Sequence, residues 1–284
     1  MWVAPVSGLR WVPVALALGP ALWAGGGENR GALSYSAAGV VNAASNASGP
    51  LAPYAIASLY GTGLAYSRRA VAEKDIRGGL LPTELDGVRV LVEGMAAPLY
   101  YVSPEQINFL IPYNAGARFP TQVTLRVTLD GRAGPEIRVP LNEAAPALFQ
   151  LDATTPVVTT VRKAEGSDEH RVVVISKDEP ARPGEIVTLW ATGLGRTQPP
   201  VAWPQLPREA FRIANWQRFQ ILLAGTAIPA EHVLYAGVAP NFAGLYQINV
   251  RLPEDAGKDP EIRIAVGEAI SPEGLRLPVT ARGN

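Results

Sequence analysis

The 284-residue sequence contains no cysteine and has only two histidines, His170 and His232. The absence of cysteine excludes disulfide frameworks, thiolate zinc sites, thiol nucleophiles and a lipid-modified N-terminal cysteine. It is compatible with any cellular compartment, so a prediction of localisation has to rest on the N-terminal segment. Short-spaced ligands do not accompany either histidine, and the sequence therefore predicts no metal site.

An excess of charge of either sign is also missing. The chain carries 25 basic and 25 acidic side chains, a formal net charge of zero, and its basic residues form no run longer than the pair Arg68 and Arg69. Proteins that bind nucleic acids usually present a basic face or stripe. The charge balance therefore argues against a nucleic-acid partner.

Long helices are not expected, because 28 glycines and 26 prolines interrupt the chain. Apolar residues recur with a period of two instead. Residues 123–129 alternate in this way, Asp130-Gly131 supplies a tight turn, and residues 137–141 resume the pattern, which predicts a β-hairpin. Residues 157–161 and 171–175 predict a second hairpin. Many short strands with frequent turns are typical of β-sandwiches.

Two stretches of the sequence occur twice. Pro53–Leu64 aligns with Pro183–Leu194 at an offset of 183 − 53 = 130, and Gln106-Ile-Asn recurs as Gln247-Ile-Asn. A period this long indicates whole domains, since the units of solenoids run to about 20–50 residues. The sequence therefore predicts an all-β fold with two tandem immunoglobulin-like β-sandwiches, residues 36–150 and residues 151–284.

Both Gln-Ile-Asn copies are predicted to be strands whose asparagine amides, Asn108 and Asn249, hydrogen-bond to backbone groups. The apolar residues expected in the core are Ile107, Phe109, Ile248 and Val250. The alternative interpretation is that the amides line a ligand site. Repetition in both halves favours the structural interpretation, because a packing requirement recurs with the fold and a ligand site need not.

The N-terminus has the pattern of a secretory signal peptide over residues 1–26. One basic residue, Arg10, precedes a short apolar region that ends in small residues at 24–26. The glycine-rich stretch Gly25–Gly31 predicts a flexible linker, which is assigned to residues 27–35. The alternative to a cleaved signal peptide is an uncleaved N-terminal anchor. No other segment has the length and apolarity of a membrane span, so no stable span is expected after signal cleavage.

Six short motifs stand in order along the chain: Val40–Ser45, Tyr60–Leu64, Val102–Phe109, Ala145–Phe149, Trp190–Gly195 and Tyr235–Asn249. Together they resemble the uncharacterised C-terminal domain family of secreted acidobacterial proteins, over residues 36–279. The two halves are also similar to IPT/TIG-type immunoglobulin-like domains. Together with the signal-peptide pattern, the resemblance predicts a bacterial protein that is secreted, periplasmic or on the cell surface. The family has no established activity, so the resemblance implies no catalytic, cofactor or metal residue.

The proline-rich segment 196–219 contains the candidate ligand contacts, Trp203 and Trp216. Exposed aromatic rings on a loop can stack on sugar rings or anchor a protein partner. The alternative is that both rings cover one edge of the second sandwich, because tryptophan is highly buried on average.

A non-catalytic module for protein interaction, adhesion or spacing is the function that the sequence favours, with an extracellular protein or a polysaccharide as partner. The first alternative is a carbohydrate-binding module that uses the loop aromatics. A hydrolase is the second alternative, but the sequence lacks a nucleophile elbow, and the run Ser167–His170 lies on a polar hairpin tip. No cofactor is predicted.

Overall fold

The structure is a computed structural model that describes residues 32–116, 118–164, 166 and 168–280. The signal peptide predicted for residues 1–26 lies outside the described residues, and so do residues 27–31 of the predicted linker. The remaining linker assignment is corrected in part, because the first strand begins at Ser34. Tyr35 fixes this strand: its hydroxyl donates to the Pro135 carbonyl at 2.6 Å and accepts the Val127 N–H at 2.8 Å.

Ten strands build the first half of the described chain, and they form two antiparallel sheets. The strands are β1 (Ser34–Asn42), β2 (Ile56–Thr62), β3 (Arg69–Ala70), β4 (Val88–Val92), β5 (Met95–Ala96), β6 (Leu99–Val102), β7 (Gln106–Leu110), β8 (Thr121–Leu129), β9 (Arg132–Ala133) and β10 (Ile137–Leu141). One sheet has the order β1-β2-β7-β6-β3 and the other β10-β8-β4-β5, with β9 paired to β8. The inward residues of both sheets enclose one buried apolar core.

Eleven strands build the second half in the same style. They are β11 (Ala147–Leu148), β12 (Val158–Lys163), β13 (His170–Val174), β14 (Ile186–Thr192), β15 (Phe211–Arg212), β16 (Phe219–Leu223), β17 (Thr226–Ala227), β18 (Val233–Val238), β19 (Tyr246–Arg251), β20 (Ile262–Val266) and β21 (Ala269–Ile270). The sheets have the orders β13-β12-β14-β19-β18-β15 and β17-β16-β20-β21. β11 pairs with β14, although residues 147–148 precede the domain boundary that the sequence suggested.

Helical structure in the described residues consists of three short 3₁₀ turns, Glu73–Asp75, Trp216–Arg218 and Ala230–His232. Both predicted hairpins are confirmed: β10 pairs with β8 across the Asp130-Gly131 turn, and β12 pairs with β13. The fold is all-β, with two tandem β-sandwiches of immunoglobulin-like type.

The sequence repeat is visible in the pairing of the strands. An isolated parallel bridge joins Leu51 to Leu141 in the first sandwich, and Ala181 to Val279 in the second. The first members of the two bridges are separated by 181 − 51 = 130 residues, the same offset as the repeated motif. β2 and β14 therefore occupy equivalent positions, as do β7 and β19, which carry the two Gln-Ile-Asn copies.

The prediction that both copies are strands with buried apolar residues is confirmed. None of the four predicted core residues has exposed surface: Ile107, Phe109, Ile248 and Val250. The expected amide-to-backbone bonds are wrong. Asn108 Oδ1 accepts from Ser58 Oγ at 2.9 Å, and Asn249 Oδ1 accepts from Thr188 Oγ1 at 3.0 Å. In each sheet the hydroxyl residue lies directly opposite the asparagine, whereas sheet pairing already engages the neighbouring backbone groups.

Candidate functional site at the junction of the two sandwiches

Tyr54 lies at the centre of the contact between the two halves. Its ring is fully buried and packs edge-on against Tyr113 of the first half, at 5.5 Å, and Trp203 of the second half, at 6.1 Å. The backbone of Tyr54 has a φ of 63°, a left-handed conformation that is uncommon for a bulky residue. Among the described residues, its hydroxyl has no hydrogen-bond partner. Burial raises the pKa of this hydroxyl above its ordinary value.

Thr192 joins the backbones of the two halves. The strand β14 delivers this residue to the start of β2, where Thr192 Oγ1 accepts the Ile56 N–H at 2.9 Å. The same hydroxyl donates to the Gly244 carbonyl at 2.7 Å. A buried hydroxyl that uses both its donor and its acceptor fixes the two chains that it contacts. A second link is the hydroxyl of Tyr100, which donates to the Ala243 carbonyl at 2.5 Å.

Arg196 extends from the second half into a loop of the first. Its guanidinium donates to the carbonyls of Tyr113 at 3.3 Å, Ala115 at 3.3 Å and Gly116 at 2.7 Å. It also lies over the ring of Phe119, 5.2 Å from the ring centroid. A planar guanidinium can satisfy several carbonyls while it stacks on an aromatic face, which an ammonium group cannot do as well.

Two tyrosines complete the polar contacts around the junction: Tyr113 makes two hydrogen bonds across it, and Tyr246 makes one within the second half. The Tyr113 hydroxyl of the first half donates to the Thr197 carbonyl at 3.3 Å and accepts the Thr197 N–H at 3.2 Å. Tyr246, which has no exposed surface, donates its hydroxyl to the Gly195 carbonyl. Burial raises the pKa of Tyr246 well above its ordinary value, so the hydroxyl stays protonated and remains a donor.

Apolar packing makes this junction continuous with the core of the second sandwich. Ile56 and Leu110 face away from the core of the first sandwich and belong to one buried cluster with the core residues of the second. Gly244 lies directly against them, and a side chain there would collide with both. The arrangement holds one sandwich against the other.

The structure separates the two predicted ligand contacts. Trp203 is half-buried and packs against Tyr54 at the junction. Trp216 is half-buried on the second sandwich, where it stacks on Phe219 with ring centroids 6.4 Å apart, and the Arg212 guanidinium lies 4.2 Å from its ring centroid. Trp203 therefore contacts the first half, rather than only an edge of the second sandwich. A ligand role for either tryptophan stays a prediction.

The two histidines lie far apart in the strand order. His170 begins the edge strand β13, and His232 precedes β18, so β12, β14 and β19 separate them in the sheet. His232 Nδ1 is 2.8 Å from the Arg251 carbonyl oxygen. Within the described ranges, no group of three or more histidine, aspartate, glutamate or cysteine side chains is placed to hold a metal ion.

A cleft of about 250 Å³ opens beside the junction. Small residues and one isoleucine line it, among them Asn42, Ser45, Ala144, Pro146 and Ile270. The lining contains no aromatic ring and no charged side chain, the groups that most often fix a small ligand. In the part of the chain that the structure describes, no helix has the length and apolar character needed to cross a membrane.

Comparison with known proteins identifies no family. No protein-family model matches the chain, and no curated protein is significantly similar to it. Among solved structures, the surface glycan-binding protein PbSGBP-B from Prevotella bryantii is 14% identical over 86% of this chain and 42% of its own, with a TM-score of 0.22. Domains 5–6 of the S-layer protein SbsC are 11% identical over 88% of this chain and 100% of theirs, with a TM-score of 0.23.

A pair of titin Ig tandem domains is 8% identical over 82% of this chain and 91% of theirs, with a TM-score of 0.23. The chain spans less than half the length of the glycan-binding protein. The neighbours are tandem Ig-like domains and surface-protein modules. Similarity at this level assigns neither a family nor a function to the chain, and the fold description rests on strand order and register.

Proposed function

We propose that the protein is a non-catalytic module of a secreted or cell-surface protein, in which two β-sandwiches form one rigid unit that spaces or presents its neighbours. One observation carries this proposal: the core of the second sandwich continues across the junction into the first. Contacts between domains in one chain are often small and polar, and such domains move relative to one another. Here the junction contains Tyr54, Ile56 and Leu110, all at 1% exposure or less.

The hydrogen bonds at the junction support the same function. Thr192 and Arg196 each bond to main-chain groups of the first half, so a change in the angle between the sandwiches would break several bonds together. The cost of leaving buried polar groups unpaired is about 1–3 kcal/mol for each group. Such a junction suits a protein that keeps its two ends at a fixed distance.

Distance measurement between spin labels tests this proposal. The chain has no cysteine, so a double variant with Ala133→Cys and Glu273→Cys is labelled at these two positions alone. Both positions are exposed, one in each half. We expect a narrow distance distribution, similar in width to that of a pair within the first half, Lys74→Cys with Ala133→Cys. A broad distribution between the halves, with a narrow one inside the first half, would show that the sandwiches move independently and would refute the rigid spacer.

The finer assignments belong to the same proposal. The signal peptide, the bacterial extracellular location and the resemblance to the acidobacterial C-terminal domain family are consistent with a surface module. An extracellular protein is the partner that a spacer requires. Hydrolysis is a poorer alternative because His170, on β13, and His232, in the turn before β18, are separated by three strands of the sheet. Loss of any esterase or glycosidase activity in His170→Ala or His232→Ala would favour it.

Polysaccharide contact through Trp203 and Trp216 is the second candidate function. The observation that favours it is that both rings are half-buried and so keep part of their surface in solvent. Trp203 also packs at the junction, so Trp203→Ala tests binding and stability together. Trp216→Phe keeps the aromatic stacking partner of Phe219 and is the matched control. Glycan binding that is lost in Trp203→Ala or Trp216→Ala, with folding retained, would support this function, and absence of binding to any glycan would exclude it.

A further inference from the structure

The surface of the first sandwich that the second one covers has an exposed counterpart on the second sandwich. At the junction, Ala43 directly after β1, Ile56 on β2 and Leu110 on β7 lie next to one another and are exposed by 3%, 1% and 0%. The repeat places Ile186 at the position of Ile56, at the start of β14. Ile186 is 36% exposed, and Arg251 lies opposite it in the register.

Three further aliphatic side chains enlarge this surface. Val161 is one position beyond the Thr160–Val187 pair and thus lies beside Ile186, and it is 43% exposed. Val172 lies opposite Val161 on the edge strand, and Val174 follows on the same face; they are 37% and 47% exposed. We call the set Val161, Val172, Val174, Ile186 and Arg251 the tail surface. Contiguous exposed aliphatic side chains on a folded domain usually mark an interaction site.

The opposite end of the first sandwich carries the counterparts of the residues that make the junction. Thr62 corresponds to Thr192 and is exposed, whereas Thr192 is fully buried. Tyr66 corresponds to Arg196, since 196 − 66 = 130, and it is 50% exposed. At the junction, Arg196 is the side chain that enters a loop of the first sandwich. A large exposed aromatic residue at the equivalent position is typical of a binding hot spot.

Glu105 adds charge complementarity to this end of the molecule. Its side chain is 62% exposed and pairs loosely with Arg68, at 3.9 Å. Its carboxylate lies 3.5 Å from the hydroxyl of Ser103, the residue that corresponds to Gly244, since 244 − 103 = 141. Gly244 contacts Leu110 at the junction, and Arg251 takes the place of Leu110 on the second sandwich. We call the set Thr62, Tyr66, Arg68 and Glu105 the head surface.

We infer that the protein assembles head to tail: the head surface of one copy docks on the tail surface of another, in the way that the second sandwich docks on the first. Glu105 of one copy then meets Arg251 of the other, and Tyr66 packs on the valines and Ile186. A head-to-tail contact uses two different surfaces and leaves one of each free, so it produces open chains rather than closed dimers. This assembly goes beyond the spacer function and concerns contacts between molecules only.

Sedimentation velocity from about 10 µM to about 1 mM, the weak end of specific association, tests the inference. We expect the mean mass to rise with concentration without a plateau at the dimer. Ile186→Glu places a charge in the tail surface and Tyr66→Ser removes the head aromatic, and each should weaken association by roughly 30-fold or more. Leu80→Glu is the matched control, because Leu80 is 40% exposed and belongs to neither surface.

Mixing the two variants separates head-to-tail contact from a symmetric dimer. Tyr66→Ser keeps its tail and Ile186→Glu keeps its head, so the mixture should form a one-to-one complex although neither variant assembles alone. A charge exchange gives a second readout: Glu105→Arg and Arg251→Glu should each weaken association, and the doubly substituted protein should recover it. A wild-type protein that stays monomeric at about 1 mM overturns the inference. The inference is also overturned if Ile186→Glu blocks assembly while Tyr66→Ser does not, or if the mixture of the two variants forms no complex.

Discussion

Thr192 Oγ1 accepts the backbone N–H of Ile56 at 2.9 Å, and this single hydroxyl connects equivalent strands of the two sandwiches. Thr192 and Thr62 are the same residue type at equivalent positions, yet Thr192 is fully buried and Thr62 is exposed. The repeat therefore contains its own control, because one threonine serves the junction and the other is in solvent.

Thr192→Val should destabilise the protein, because it leaves the Ile56 N–H and the Gly244 carbonyl without their partner. The expected loss is about 1–3 kcal/mol in the free energy of unfolding, measured by urea denaturation. Thr62→Val makes the same chemical change in solvent and should cost less than about 0.5 kcal/mol. Equal losses for the two variants would contradict the role of Thr192 at the junction.

Tyr54→Phe should leave the stability unchanged or raise it by about 1 kcal/mol, because the buried hydroxyl that it removes has no partner among the described residues. Tyr246→Phe is the matched control. Its hydroxyl donates to the Gly195 carbonyl, so its loss should cost about 1–2 kcal/mol. Thermal unfolding of both variants gives the two signs directly. A large loss for Tyr54→Phe would reveal a bond to the hydroxyl that the structure does not contain.

The sequence predicts the strands and the repeat better than it predicts the junction. Alternation of apolar residues reports one buried face of each strand, and that was enough to place both hairpins and the four core residues around Gln-Ile-Asn. Tyr54, Tyr113 and Arg196 produce no periodic signal, because they contact residues of the other half of the chain. Residue type also does not distinguish Thr62 from Thr192, since both are threonine and only their burial differs. The partners of Asn108 and Asn249 were missed because Ser58 and Thr188 face them only through the strand register.

A partly buried ion pair of the second sandwich predicts a dependence of stability on pH. Arg162 donates to both carboxylate oxygens of Glu185, at 2.8 and 2.9 Å, and their side chains are 12% and 15% exposed. Burial raises the pKa of Glu185, but hydrogen bonds from Arg162 and from the Arg182 N–H outweigh it, and the pKa lies below its ordinary value of 4.5. A carboxylate with a lowered folded pKa stabilises the protein above pH 4.5 and loses this contribution as the pH falls through the folded value.

Glu185→Gln should therefore cost about 1–3 kcal/mol near pH 7, with a smaller difference from the wild type near pH 3. Urea denaturation at the two pH values measures this change. Glu84→Gln is the control, since Glu84 and Arg89 form a pair whose side chains are 48% and 57% exposed. Its effect should stay below about 0.5 kcal/mol at both pH values. A constant difference between Glu185→Gln and the wild type across this range would rule out the proposed linkage.

Gly244→Ala tests how closely the two sandwiches approach each other. Gly244 has a φ of 70°, and a β-carbon there would collide with Leu110, Ile56 and the Tyr54 carbonyl. Gly257 has a similar φ of 74° with open space around the same position. Gly257→Ala should therefore show the backbone strain alone, about 1 kcal/mol, whereas Gly244→Ala should cost about 3 kcal/mol or more because it also forces the halves apart. Spin-label distances between the halves should broaden in Gly244→Ala and stay unchanged in Gly257→Ala, and a narrow distribution in both would mean that the junction tolerates the added methyl group.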